Sequence, residues 1–379
     1  MMASSLQTLF LPLEQGLVLP NDGQVLFLGA CWHPFLVTMK GVAVWQPLFP
    51  AADALRAHGL EPLTAFPAQK TYDLILIYVP KQVEEAQFWL ALAAEALQPD
   101  GVLVMAAAND AGGNRLLKWM TSLGFSCESL SKNKARVVWG VRPCTLSGQT
   151  KGWLEKGSIQ DVLMADGRGV RSQPGIFGWD KIDAGSRLLG DLLPPDLAGT
   201  GADYGCGWGY LSSCVFEKTR GVKALYLLEA DLRALDCAAN NLENVRGDCT
   251  LHPLWTDATK PTENMPPLDF IIMNPPFHEG KKTDMALGQG FIDSAARALK
   301  KTGSSGWWRT RIFLMKKFWR KNSLRWKKSR KETVSRCFHA GNNVFCPYSR
   351  NHLGSGWYAL PLQRSVQTCL QYCGRAHGP

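Results

Sequence analysis

The chain has 379 residues, with 42 Lys+Arg against 32 Asp+Glu, a formal charge of +10 and 46% hydrophobic residues. That length suffices for two domains with substantial cores, and no run of about eighteen uncharged apolar residues suggests a membrane span. The start, Met1-Met2-Ala3-Ser4-Ser5, lacks a basic leader region, and the eleven cysteines form no paired CxxC framework. The expectation is a soluble, cytoplasmic protein with reduced cysteines and no metal site.

The basic surplus is confined to one end. Residues 303–379 hold 15 Lys+Arg and a single acid, Glu332, whereas residues 1–302 hold 27 Lys+Arg and 31 Asp+Glu. A basic surplus ordinarily points to a nucleic-acid partner, and here it points to the tail alone.

In chain order, Gly23-Gln24 leads into an apolar strand, Val25 to Ala30. Tyr72 to Lys81 is a second strand, Glu84 to Leu97 a helix, and Val102 to Met105 a third strand. Residues 143–180, rich in Gly, Ser and charge, read as a linker. The pattern then repeats: Asp203-Tyr204-Gly205-Cys206-Gly207, the strand Ala224 to Glu229, the strand beginning at Asp269, and a helix from Leu287 to Lys301. Strands alternating with helices predict two α/β domains with doubly wound, mostly parallel sheets. Tyr72 to Lys81 aligns with Leu268 to Phe277, although buried strands also resemble one another through shared composition.

The cofactor signal is Gly205-Cys206-Gly207-Trp208-Gly209, between a strand and a helix. Glycines there permit a tight turn and close approach of a ligand to the backbone. Its force comes from Glu229, about twenty residues on at the end of the next strand, where a carboxylate can hold both ribose hydroxyls. Asp257, on the loop after the third strand, is either an acceptor for an adenine amino group or a solvated loop acid. Position 210 is Tyr, so the pyrophosphate pattern GxGxxG is incomplete and S-adenosylmethionine, which has no phosphates, suits the turn better. The last signal is Asn274-Pro275-Pro276-Phe277, directly after the apolar run Phe270-Ile271-Ile272-Met273. An Asn amide oxygen and a backbone carbonyl can accept both hydrogens of a planar NH2 group while an aromatic ring stacks on its base. That is the chemistry of methylating an exocyclic amine.

These residues resemble the class I methyltransferases acting on guanine N2 in ribosomal RNA, the RsmC-type 16S enzymes and their relatives on 23S rRNA. The resemblance covers about residues 20–302. It includes Tyr78-Val79-Pro80-Lys81, Glu85-Ala86-Gln87-Phe88, Gln173-Pro174-Gly175-Ile176-Phe177, Asp183-Ala184-Gly185-Ser186, Leu188-Leu189 and Asn274 to His278. It implies two tandem Rossmann-like methyltransferase domains, only the second binding cofactor: a degenerate domain at 1–145, a linker and cofactor lid at 146–180, a catalytic domain at 181–302 and a basic tail at 303–379. Asp203, Gly205, Gly207, Glu229 and Asp257 would line the S-adenosylmethionine site, and Asn274, Pro275, Pro276 and Phe277 would hold the base. Phe177 and Asp183 either close over the cofactor or serve packing and helix capping. His278 either accepts a proton after transfer or has a structural or RNA-contacting role. The partner implied is rRNA or the 30S subunit, and the protein a monomer. A DNA adenine-N6 or protein glutamine methyltransferase would share the Asn-Pro-Pro-aromatic device, and a non-catalytic RNA-binding or chaperone-like protein would remain if the altered C-terminus abolished catalysis.

The tail departs from the family, whose closing strands are not recognisable in Gly303 to Pro379. Either it is a basic, aromatic RNA-binding extension, irregular or disordered in isolation, or it is translated out of frame. Permitted codons for Ile312 to Ser329, read in another frame, allow HLPYEEVLAEELFEVEEV, the family's missing segment, and Arg330 to Gly341 allow GFKVLSCR and a stop. Lys327-Lys328 then arises from GAA glutamate codons read out of phase. A sheet without its closing hairpin keeps an open edge, so a chain with this tail is expected to fold poorly or be inactive.

Overall fold

The computed structural model describes residues 4–18, 23–67, 71–262, 265–275 and 282–300, with the strands 311–316, 336–340, 343–345 and 359–361. Two compact units result: Met1–Leu163 with Gly167–Asp180 and Asp231–Arg233, and Met164–Asp166 with Lys181–Ala230 and Ala234–Pro379.

The first unit contains α1 (Ser4–Glu14), β1 (Val25–Leu28), β2 (Ala43–Trp45), α2 (Phe49–Arg56), β3 (Tyr72–Tyr78), α3 (Val83–Ala96) and β4 (Leu97–Ala108). It continues through α4 (Leu116–Ser122), β5 (Ser126–Lys132), β6 (Ala135–Val141), α5 (Gln149–Gly157) and the hairpin β7 (Gln160–Leu163) and β8 (Gly169–Ser172). Its six-stranded sheet has the order β2-β1-β3-β4-β6-β5. β1 pairs in parallel with β2 and β3, β3 with β4, and the last two strands run antiparallel. Side chains alternate along each strand, so Leu26, Leu28, Ile75 and Ile77 pack with Trp89 and Leu90 of α3 on one face. Val25, Phe27, Leu74 and Leu76 pack with Leu9 and Phe10 of α1 on the other. Cover on both faces is why these strands read as unbroken apolar runs.

The second unit contains α6 (Ala184–Leu192), β9 (Ala198–Tyr204), α7 (Tyr210–Lys218), β10 (Gly221–Glu229), most of α8 (Leu232–Leu242), β11 (Thr250–Trp255), β12 (Phe270–Met273) and α9 (Lys282–Ala298). Its sheet order is β11-β10-β9-β12, followed by β13 (Arg311–Lys316), β14 (Arg336–Ala340), β15 (Asn343–Phe345) and β16 (Ala359–Pro361). Pairing is parallel as far as β13 and antiparallel beyond it. The tail thus differs from the expectation of irregular chain at four short stretches, and β12 is flanked on both sides rather than left as an open edge. Phe291 and Ala295 of α9 pack on Ala202, Tyr204, Ile271 and Met273.

Shared composition does not account for the likeness of the two sheets, because a specific polar device recurs. The Asp73 carboxylate accepts the Gln24 N–H at 2.6 Å while the Asp73 N–H donates to the Gln24 carbonyl at 2.9 Å. Asp269 does the same with Thr200, at 2.8 and 2.7 Å. In each case a glycine precedes the partner, and a Cβ there would meet the aspartate Oδ2, 2.1 Å away at Gly23 and 2.3 Å at Gly199. Each charge-assisted bond contributes roughly 1.5–3 kcal/mol, and it fixes the register of the strand pair that leads to the site.

Candidate functional site

Four sequence signals converge at the carboxyl ends of adjacent parallel strands. Tyr204 is in register with Leu228 on one side and Met273 on the other, and Glu229 with Trp255. The turn after β9, Glu229 and Asn274 therefore leave the sheet side by side, with Asp257 just beyond β11. In an open α/β sheet the crevice at the switch point, here between β9 and β12, is where ligands bind.

The turn itself requires glycine: Gly205, Gly207 and Gly209 have φ of +72°, +55° and +96°. Gly205 N–H bonds the Leu228 carbonyl at 2.8 Å, and Gly207 N–H donates to Glu229 Oε2 at 2.7 Å. Ala230 N–H holds the other oxygen, Oε1, at 2.8 Å. Each carboxylate oxygen has two lone pairs, so Glu229 is oriented by backbone and keeps acceptor capacity for a ligand's hydroxyls. A Cβ at Gly207 would meet nothing among the described residues within 4 Å. In the first unit Gly29 stands in the place of Gly205 and Cys31 in that of Gly207; a Cβ at Gly29 would lie 2.7 Å from the Trp89 ring and 2.8 Å from the Tyr78 carbonyl, where one at Gly205 would lie 3.5 Å from the Phe291 ring. The first unit's turn is the more tightly packed of the two.

Asp203 is fully buried and accepts the Ser212 hydroxyl on Oδ2 at 2.7 Å, while Oδ1 has no hydrogen-bond partner among the described residues. Burial pushes its carboxyl up to about 7, opposed by the Ser212 hydrogen bond and reinforced by the nearby Glu229 charge. An orphaned carboxylate oxygen beside an open glycine turn suits a donor group on a bound cofactor. Asp257 is turned toward its own loop: Oδ1 accepts from Thr259 N–H at 3.0 Å and Thr259 Oγ1 at 2.6 Å, and Lys260 Nζ lies 3.7 Å from Oδ2.

Asn274 is held in one amide orientation. Its Nδ2 donates to Asp183 Oδ2 at 3.0 Å and to Ser186 Oγ at 2.8 Å. Asp183 is the N-cap of α6, accepting Gly185 and Ser186 N–H at 2.7 and 3.0 Å. A carboxylate can only accept, so it fixes the NH2 side of Asn274 toward itself and leaves the amide oxygen on the opposite side. The capping alternative for Asp183 is thus observed, with the added task of orienting Asn274. Ser186 stands in the sequence only as part of the Asp-Ala-Gly-Ser motif, and Ser212 carries no sequence signal because its partner Asp203 lies on the far side of the glycine turn.

Pro275 is buried. Pro276, Phe277 and His278 lie outside the described residues. Phe177 falls within the segment grouped with the first unit, its side chain 63% exposed. Among the described residues no cluster of His, Cys, Asp or Glu has the makings of a metal site.

Residues 22–142 match the Methyltransferase small domain N-terminal family and residues 167–308 the Methyltransferase small domain family. A Ribosomal RNA small subunit methyltransferase C from Alteromonas mediterranea is 26% identical over 269 residues, covering 71% of this chain and 71% of that protein. That of Aliivibrio fischeri is 31% identical over 241 residues, covering 61% and 66%. Among solved structures, a T. thermophilus 16S rRNA N2 methyltransferase (RsmC) in complex with AdoMet and guanosine superposes with a TM-score of 0.64 at 22% identity, covering 82% of this chain and 83% of that one. Duplicated sheets, a glycine turn closed by an acid and an Asn-Pro at the end of β12 define a class I methyltransferase of tandem build. Within that class the chain belongs to the RsmC-type family of small-subunit ribosomal RNA methyltransferases.

Proposed function

We propose that the second unit binds S-adenosylmethionine and transfers its methyl group to the exocyclic N2 of a guanosine in 16S rRNA. One observation carries this most directly: the Asn274 amide, locked by Asp183 and Ser186 with its oxygen on the opposite side, at the strand end beside the glycine turn that Glu229 holds. Glu229 would hold the ribose hydroxyls and Asp203 Oδ1 a donor on the methionine part. The cofactor supplies an activated methyl on a positively charged sulfur.

The rest falls to the chain. The lone pair of a guanine N2 is delocalised into the ring, so the site must draw hydrogen-bond density onto the NH2 group and align the nitrogen with the methyl. Asn274 Oδ1 and the Pro275 carbonyl would accept the two N2 hydrogens, localising the lone pair toward the methyl, with Phe277 stacking on the base. The alkylated nitrogen is briefly cationic and strongly acidic, so water suffices to take its proton. The base must leave its stack to reach such a site, which implies flipping or single-stranded presentation. We read the protein as a cytoplasmic monomer acting on rRNA, free or in the 30S subunit.

Calorimetric titration tests the cofactor assignment: S-adenosylmethionine should bind this chain, and Glu229→Ala should weaken it by about tenfold or more, the equivalent of a hydrogen-bonded charged group. Unchanged affinity in Glu229→Ala would sink the assignment.

We also propose that residues from about Gly303 onward are translated out of frame. The frame that allows HLPYEEVLAEEL from Ile312 also allows QLWVVANP immediately upstream, over Gly303 to Arg311, an apolar strand. Some codons leave no choice: Trp307-Trp308 forces a valine codon, and Met315-Lys316 and Trp326-Lys327 each force glutamate, all where this sequence needs them. The family match ends at residue 308. Sequencing the gene across codons 295–345 decides it; an uninterrupted frame with no family-like alternative would refute it.

A further inference from the structure

Asp231–Arg233, the three residues that follow Glu229 and Ala230, group with the first unit. Leu232 N–H donates to the Pro47 carbonyl at 2.9 Å, and Asp231 forms an antiparallel bridge with Leu48. Arg233 grips Asp231 through Nε and Nη2, at 2.9 and 2.7 Å, and reaches Glu85 Oε1 through Nη1 at 2.5 Å. Its guanidinium lies 5.9 Å from the centre of the Trp89 ring, the ring that packs against the Gly29 turn. All three charged side chains are largely buried, 13% exposed at Arg233 and Asp231 and 8% at Glu85. Burial raises the Glu85 carboxyl and Arg233 opposes it, while the two carboxylates hold Arg233 protonated.

Glu85 touches a second segment. Gly175 has φ of +101°, and a Cβ there would lie 2.4 Å from the Glu85 carboxyl carbon. One carboxylate in the first turn of α3 therefore braces both the 173–177 turn and the chain just past Glu229. A buried ion pair is a weak source of stability, since apolar residues of similar volume often serve as well. Its better-supported use is to fix register, and here the register fixed is that of the backbone at 230–233, where Ala230 N–H holds Glu229 Oε1.

We infer that Glu85, through Arg233, is a positioning residue that sets the Glu229 loop for cofactor binding. The inference rests on Glu229 being a cofactor ligand, as proposed above. Removing the Glu85 charge leaves the bidentate Arg233–Asp231 pair intact and neutral, so Glu85→Gln should spare the fold. Removing Arg233 would take the guanidinium away from two buried carboxylates, Glu85 and Asp231.

The test compares the full chain with Glu85→Gln and with Arg233→Lys, which keeps the charge but loses the fork. Three measurements are made: amide hydrogen exchange at 229–233, S-adenosylmethionine affinity by calorimetry, and the thermal midpoint. Expected are faster exchange at 230–233 and an affinity loss of about tenfold, 1.4 kcal/mol, in both variants, with the Glu85→Gln midpoint close to that of the parent. Where turnover is measured, KM for the cofactor should rise with kcat held. A lower midpoint with unchanged exchange and affinity would mean a purely structural ion pair and would overturn the inference. If the parent itself binds no cofactor, the functional proposal fails instead, and the exchange comparison still decides: unchanged protection at 230–233 in the variants overturns the clamp.

Discussion

At the scale of residues, the central object is an amide whose two ends do different work. Asp183 and Ser186 take the NH2 of Asn274, so its oxygen is aimed before any substrate arrives. Asn274→Ala should lower kcat by about a hundredfold or more, as for loss of one preorganised polar group at a reacting centre. Asp183→Ala should lower kcat less, by freeing the amide to turn, with cofactor affinity little changed; an unaltered kcat would show that orientation of Asn274 does not matter. Asp203 gives a pH signature. Its folded carboxyl sits near 7, above the ordinary Asp value, so folding favours the protonated form. The stabilisation is fully present below about pH 4 and is lost as pH rises through about 7. Thermal melts from pH 5 to 8 should therefore decline more steeply for the parent than for Asp203→Asn, and parallel curves would contradict this. Asn274, Glu229 and the glycines were legible in the sequence because each stands at a fixed offset from an apolar strand. The Asp183–Asn274 pairing was not, since 91 residues separate the partners and only the fold supplies the distance.

At the scale of elements, the strands and helices follow from apolar runs and glycine punctuation, and they fall where the alternation placed them, within a few residues. β3 and β12 occupy the same place in their sheets, each beside the strand that ends in a glycine turn. The paired aspartates at 73 and 269 make that likeness specific, and the sequence does not reveal them because a lone Asp at a strand start looks like any loop acid. Close packing of these strands can be probed at Gly201, where a Cβ would lie 2.1 Å from the Phe270 ring. Gly201→Ala should destabilise by roughly 1–3 kcal/mol through overpacking, read as a lowered denaturation midpoint. Gly207→Ala is the contrasting case: none of the described residues lies within 4 Å of the added methyl, so the fold should lose only the roughly 1–2 kcal/mol of a left-handed backbone. Cofactor affinity should fall further than that if the turn is the binding surface.

At the scale of the whole molecule, charge and pattern disagree at one point along the chain. The acidic body of residues 1–302 carries every site element, and the basic surplus begins where the family match stops. Four short strands continue the second sheet through the tail, which the sequence did not foretell because its lysine- and tryptophan-rich composition lacks strand alternation. A frame-restored C-terminus should supply the family's own closing strands, raise the thermal midpoint and raise activity over the present chain. Equal behaviour of the two forms would remove the reason to restore it.

The most direct measurement of the central claim is product identification. Present and frame-restored chains, each with an Asn274→Ala counterpart, are incubated with methyl-labelled S-adenosylmethionine and 16S rRNA, and the RNA is digested to nucleosides for mass spectrometry. The account predicts label in N2-methylguanosine, stronger with the restored chain and lost with Asn274→Ala. Label in N6-methyladenosine, or none from either chain, would contradict it.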